Sequence, residues 1–260
     1  MTTKERAGIQ SVEVGFGLLQ ALGQAAGPLM LRDLAKAAGM SAAKAHRYLV
    51  SFQRLELVVQ DAASARYDLG PAALKLGLAS LERLDAVKLA RERLARLMAD
   101  IGHTLALAVW GNHGPTIVHW EESPQAVTVN LRLGDVMPLL SSATGRCFAA
   151  YLPREAIAGM LKDELARAQK QGRTDVPANM AGVQEMLEEV RMRGAARVVD
   201  TLLPGIVGFC APVFDSDGHI VLGMVALGPT GTFDPSWGGA VERPLRDVAA
   251  QLSSDLGHKG

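Results

Sequence analysis

Cysteine is scarce. Among 260 residues there are two, Cys147 and Cys210, and neither belongs to a CxxC pair, which excludes a disulfide framework or a four-cysteine zinc site. Net charge is absent too: 27 basic residues balance 27 acidic ones, so bulk charge does not point to a polyanion. The longest apolar stretches, residues 105–110 and 220–227, fall well short of the roughly 18 residues that a membrane span needs. The opening MTTKERAGIQ has no apolar segment of the kind an export signal carries, so the expected compartment is the cytoplasm and no membrane partner is expected. No GxSxG elbow, P-loop, HExxH or dinucleotide fingerprint occurs. The six histidines (His46, His103, His113, His119, His219, His258) show no i, i+4 pairing, which argues against hydrolase and metalloenzyme chemistry. His119 and Glu121 could share a strand face as metal ligands, although a lone pair of this kind is more often surface polarity. No cofactor or metal is expected, and the chain is not read as an enzyme.

What is present describes an ordinary folded chain, 48% hydrophobic and 21% charged, and its length favours two modest domains over one. Charge is unevenly placed. Residues 1–60 hold Lys4, Arg6, Arg32, Lys36, Lys44, Arg47 and Arg54 against Glu5, Glu13, Asp33 and Glu56, and the excess is cancelled downstream. Val14, Leu18, Leu19 and Leu22 recur at helical spacing across residues 11–25, with Gly27-Pro28 as the stop. A second helix covers residues 31–38. Gly39-Met40 turns into Ser41, a plausible N-cap for a third helix over residues 42–55. That helix buries Ala45, Leu49 and Phe52 and turns Ala43, Lys44, His46 and Arg47 outward. LVVQ at residues 57–60, the turn DAASA and RYDLG at residues 66–70 read as a hairpin. Three helices and a wing make a winged helix-turn-helix whose third helix is placed to enter a DNA major groove; a plain three-helix bundle with a solvated basic face is the competing reading.

From Pro71, which suits a helix N1 position, to Ile101 the pattern is almost continuously helical. Its leucine stripes suit a connector between domains that could also pair with a second copy of itself. Beyond Gly102 the period becomes strand-like. TLALAVW, PTIVHWEE and AVTVNLRL are candidate strands. Helices are expected over residues 143–151, 153–168 and 180–193, the last ended by Gly194. ARVVD, VGFCAPVF and HIVLGMVAL are later strands, the last two joined by the hairpin turn Asp215-Ser216-Asp217-Gly218. Asp234-Pro235 opens a final helix that Pro244 must kink or interrupt. The fold class is therefore α+β, with a downstream antiparallel sheet and helices segregated to its faces.

The strings GIQSVEVGFGLLQAL, LRDLAKAAGMSAAKAHRYL, RYDLGPAALKLG, MPLLSSATGRCFAAYLP and VRMRG, in this order and spacing, resemble the IclR family of bacterial transcriptional regulators over nearly the whole chain. The resemblance implies a winged helix-turn-helix (residues 1–70), a dimerising linker helix (71–84) and a GAF-like domain for effector binding and oligomerisation (85–260). It implies double-stranded DNA as partner, at a pseudo-palindromic operator, and a small-molecule effector. It also implies a homodimer, often extended to a dimer of dimers (a homotetramer), with RNA polymerase as a further candidate partner. The reading helix corresponds to Ala42 through Leu49, and His46-Arg47 matches the family's His-Arg pair. Arg47 is the best DNA contact, on guanine or on phosphate. The positions before that pair, commonly Ser and Thr in the family, are Ala43 and Lys44 here. Gln10 and Ser11 match a Gln-Ser pair near the phosphate backbone. Arg66 at the wing base could do likewise, or be an ordinary exposed hairpin residue.

For the effector, the resemblance implies a cavity bounded by residues 141–146 and the two late strands. Ser142, Ala143, Thr144 and Gly145 at a helix start can offer N–H groups to a carboxylate, although Ser142 taken alone reads as the helix cap. Acidic residues common in the family after the Arg-Gly helix end are replaced by Val198-Val199 before Asp200. A frequent Ser-Gly-Pro becomes Ala226-Leu227-Gly228-Pro229. With Trp110, Phe209, Cys210 and Met224 placed nearby in the proposed sheet, the cavity is expected to be apolar. The expected effector is then an aromatic or alicyclic acid from a catabolic pathway. The alternative is a redox-responsive regulator or GAF-fold enzyme that uses Cys147 and Cys210, with Arg146 supplying positive surroundings.

Overall fold

The structure, a computed structural model, describes residues 8–81, 85–123 and 131–259. The chain divides into two compact units, residues 1–83 and 84–260.

In the first unit α1 (Gln10–Gln24), α2 (Leu31–Ala37) and α3 (Ala42–Arg54) precede a hairpin of β1 (Val58–Gln60) and β2 (Tyr67–Leu69), and α4 (Pro71–Leu81) follows. Leu18, Leu22, Leu34, Ala35, Ala45, Leu49, Val58 and Tyr67 close its core. Gly39 takes φ +64° between α2 and α3, a left-handed turn that glycine enters without the Cβ penalty. The Ser41 side chain then accepts the Lys44 N–H at 3.4 Å, capping α3. Tyr67 exchanges backbone hydrogen bonds with Leu29 at 2.8 and 3.0 Å, which ties the hairpin to the strand-like residue before α2. Phe52, expected in the core, is only half-buried against it.

The second unit is built on an antiparallel sheet in the order β4-β3-β7-β6-β5. Its strands are β3 (Thr104–Gly111), β4 (Gly114–Glu121), β5 (Ala196–Val199), β6 (Ile206–Phe214) and β7 (Ile220–Pro229). Its helices are α5 (Ala86–Ile101), α6 (Ala143–Tyr151), α7 (Arg154–Lys170), α8 (Met180–Arg193) and α9 (Glu242–Asp255). Strand side chains alternate between two apolar layers. Leu105, Leu107, Phe209, Ala211, Met224 and Ala226 join α5 and α9. Ala106, Ala108, Cys210, Val225 and Leu227 join α6, α7 and α8. Helices on both faces account for strands that are buried on both sides.

Three expectations are corrected. The long helix from Pro71 is not continuous, because Asp85 takes extended angles (φ −105°, ψ 102°) and its carboxylate caps a new helix at Lys88 N–H. The final helix starts at Glu242, not at Asp234-Pro235: Asp234 instead accepts the N–H groups of Ser236 and Ala240 in a turn. Pro244 thus falls in the first turn of α9, where a missing N–H costs nothing, and no kink follows. The candidate strand AVTVNLRL lies outside the described residues up to position 130, and residues 131–133 are not strand. Pairing with β4 comes later: Ile117 N–H donates to Asp135 O, Gly134 N–H to Ile117 O and Met137 N–H to Pro115 O, at 2.7–3.0 Å.

His103 precedes β3 at 8% exposure, its ring 4.8 Å from that of Phe233. Burial lowers its pKa from the ordinary 6.5. Protonation therefore favours the unfolded chain, and the stability that the neutral ring confers is present above pH 6.5 and lost as pH falls through the folded value. Thermal unfolding followed from pH 7.5 to 5 is expected to fall along an acid limb that His103→Leu flattens in part; an identical limb in the variant overturns this assignment.

Candidate DNA-reading helix and effector pocket

Alternation along α3 decides what faces outward. Ala45 and Leu49 are wholly buried, which fixes the helix on α1 and α2, while Ala42, Ala43, Lys44, His46 and Arg47 are exposed. The first turn of α3 holds no acidic residue. Among the described residues the side chains of Lys44, His46 and Arg47 make no ion pair, whereas Arg32 has Asp33 at 3.7 Å. Two cations and an imidazole thus stand unneutralised beside two methyl groups, a surface suited to phosphates and base edges. Gln10 opens α1 and Ser11 follows, both exposed. Arg66 is exposed too, but its Nη1 donates to the Pro28 carbonyl at 3.0 Å, so part of that guanidinium braces the wing.

In the second unit the expected effector residues separate. Ser142, Ala143 and Thr144 line a narrow apolar pocket with Ile117, Trp120, Val198, Ile206, Gly208, Val225 and Leu227. Gly145 lies just behind: a Cβ there would come within 2.0 Å of the Pro138 carbonyl oxygen. The Ser142 hydroxyl accepts the Gly145 N–H at 2.8 Å and donates to Pro138 O at 2.7 Å, so it is spent as the cap of α6. Thr144 is 1% exposed, and its hydroxyl, at the pocket wall, makes no hydrogen bond among the described residues. Gly208, Val225 and Leu227 are pocket residues that the sequence reading missed; fixing the strand phase would have found them.

The other expected residues do not line this pocket. Phe209, Met224 and Ala226 point to the opposite layer, under α5 and α9, because strand neighbours alternate faces. Trp110 packs against Phe148 with ring centroids 6.1 Å apart. Val199 is exposed, and Asp200, at φ 55°, accepts the Gly205 N–H at 2.6 Å. Cys210 lies buried beside Cys147, and burial with that neighbour pushes the Cys147 thiol well up. A buried thiol held protonated is the reverse of a reactive one. Arg146 gives it no help: its guanidinium donates to the carbonyls of Leu140 and Arg197, and burial lowers its pKa to about 10. His119 Nε2 stands 3.3 Å from Glu121 Oε2, within hydrogen-bond reach, with no third ligand grouped to it among the described residues.

A winged helix-turn-helix with an unneutralised basic helix, followed by a sheet unit holding a pocket and no catalytic constellation among its described residues, defines a ligand-binding DNA regulator. Comparison with known proteins places it. The family model described as the IclR helix-turn-helix domain matches residues 11–62, and that described as the bacterial transcriptional regulator IclR C-terminal matches residues 78–254. The chain belongs to the IclR family of transcriptional regulators. It is 32% identical to the glycerol operon regulatory protein of Streptomyces griseus over 96% of this chain and 97% of that protein. It is 25% identical to the HTH-type transcriptional regulator KdgR of Escherichia coli over 98% and 95%. Among solved structures, Pseudomonas aeruginosa HmgR superposes with a TM-score of 0.89 at 37% identity, covering 97% of this chain and all of that one. The relatives are regulators and repressors by name, and this chain is a DNA-binding regulator, not an enzyme. No described helix is long and apolar enough to cross a membrane.

Proposed function

We propose that the protein is a cytoplasmic regulator of catabolic genes, binding a pseudo-palindromic operator as a homodimer that can pair into a dimer of dimers. Its effector is a small acid with an apolar body, aromatic or alicyclic. The observation that carries this reading is the pocket at the start of α6: aliphatic and aromatic walls around one unpartnered hydroxyl, that of Thr144, with the first N–H groups of the helix beside it. An apolar body is held by the walls, and a carboxylate by the hydroxyl and the helix end.

The pocket encloses about 40 Å³, too little for an aromatic ring. Binding therefore requires Leu202, Leu203 and Ile206 to move outward, and an effector that selects this opened form shifts the population of states and with it operator occupancy. A thermal-shift screen of aromatic, alicyclic and short aliphatic acids tests this. A ligand held by the folded form alone at a hundred times its Kd adds about 2.7 kcal/mol, and Leu227→Trp, which fills the pocket, is expected to remove the shift. Stabilisation by pyruvate or glyoxylate alone overturns the apolar effector.

A further inference from the structure

A second cleft, of about 440 Å³, lies on the other side of the segment that leads into α6. It shares Met137 and Leu202 with the effector pocket, and α7 supplies its far wall through Met160, Glu164, Arg167 and Ala168. Its volume falls in the range of small-molecule sites, about 300–1,000 Å³.

The polar groups around the cleft are unequally committed. Glu164 is held in place through both carboxylate oxygens, which accept the N–H groups of Leu139 and Leu140 at 2.8 and 3.0 Å, and it makes no ion pair with a cation among the described residues. Arg173 is engaged by Asp175, with Nε to Oδ1 at 2.9 Å, and also donates to the Thr201 carbonyl at 2.6 Å. Arg167 differs: its Nε reaches the Asp163 carbonyl at 3.3 Å, and its terminal nitrogens make no hydrogen bond among the described residues. Ser141 is only 5% exposed, yet its hydroxyl has no hydrogen-bond partner among the described residues. The buried side-chain atoms left without a partner, among the described residues, are Arg93 Nη1 and Glu242 Oε1, so the Ser141 oxygen still reaches open space, where a ligand can meet it. The cleft thus combines an accessible hydroxyl, an unpaired guanidinium and apolar surface from Met137, Leu140, Met160 and Leu202.

We propose that this cleft binds a second small organic acid, separately from the effector pocket: a carboxylate carrying a compact apolar body, its charge on Arg167 and a polar substituent toward Ser141. A guanidinium is the side chain suited to a carboxylate, because its N–H fork matches two oxygens.

Methyl NMR on the full chain labelled at methionine ε-carbons tests it, with 4-hydroxybenzoate as probe and 4-hydroxybenzamide as its neutral counterpart. Met160 lines this cleft and not the effector pocket, while Met224 lies on the opposite sheet layer and serves as the control. Saturable movement of the Met160 methyl by the acid is expected, with the amide at least about tenfold weaker. Arg167→Gln is expected to weaken the acid response at least about tenfold, and Leu227→Trp to leave it intact. Three results overturn the proposal: a Met160 methyl that the acid does not move, equal responses to acid and amide, or a response that survives Arg167→Gln and vanishes in Leu227→Trp. In the last case the ligand occupies the effector pocket alone, and the effector reading stands without the second site.

Discussion

Arg47→Ala is expected to remove specific operator binding while leaving the melting temperature of the protein unchanged. Arg47 is exposed on α3 and its side chain makes no hydrogen bond or ion pair among the described residues, so the free protein loses nothing by its truncation. A bidentate arginine–guanine contact is worth about 1–3 kcal/mol of discrimination. Two copies on the two-fold site proposed above would double that, which predicts a loss of about 30-fold to 10⁴-fold. Fluorescence anisotropy with a duplex selected from a random pool measures it. The salt dependence separates the two ways the guanidinium can act. A lost phosphate contact lowers affinity for every sequence and reduces the salt slope by about 1, whereas a lost base contact flattens the preference at one position. Operator affinity equal to that of the parent would remove α3 as the reading helix.

Gly145→Ala is expected to give the second large effect, through the sheet unit. In an ordinary helix interior the change is stabilising by about 0.5–1 kcal/mol, since alanine loses less backbone entropy than glycine. Here the added Cβ would meet the Pro138 carbonyl oxygen at 2.0 Å and the Leu139 Cα at 2.6 Å, closer than atoms pack. Both obstacles are backbone and cannot rotate away. Overpacking of this kind costs about 3 kcal/mol, which outweighs the helical gain and lowers the melting temperature of a unit this size by roughly 10 °C. Effector-induced stabilisation should fade with it, because Pro138 and Ser142 are joined across the same turn. A variant that melts at the parent temperature would show that the start of α6 is not held against that segment.

Some helical ends were readable: Ser41 and Ser142 cap α3 and α6 by hydrogen bonds three residues long, and Gly194 ends α8 in the left-handed conformation, all decided within one turn. The break at Asp85 is hidden because its neighbours carry helical hydrophobic spacing, which masks the weaker signal of a capping carboxylate. The strand residues of the site were half-legible for a different reason. β6 and β7 are apolar on both faces, so the sequence shows no polar-apolar alternation from which to tell that Gly208, Val225 and Leu227 turn toward α6 while Phe209, Met224 and Ala226 turn away. The second cleft left no local trace. Arg167 and Ser141 are 26 positions apart, and only the folding of α7 along the segment before α6 brings them to one cleft.

The backbone bonds between Pro115–Ile117 of β4 and residues 134–137 also cover part of one flank of the sheet. The opposite flank ends in β5, four residues long, where Arg197 lays its guanidinium 4.8 Å from the centre of the Trp237 ring. A partly covered margin on one side, and a short, cation-bearing one on the other, reduce the template for foreign strands to add to. A protein whose sheet is greasy on both sides thereby keeps its hydrogen-bonding rim out of the register that fibrous assembly requires.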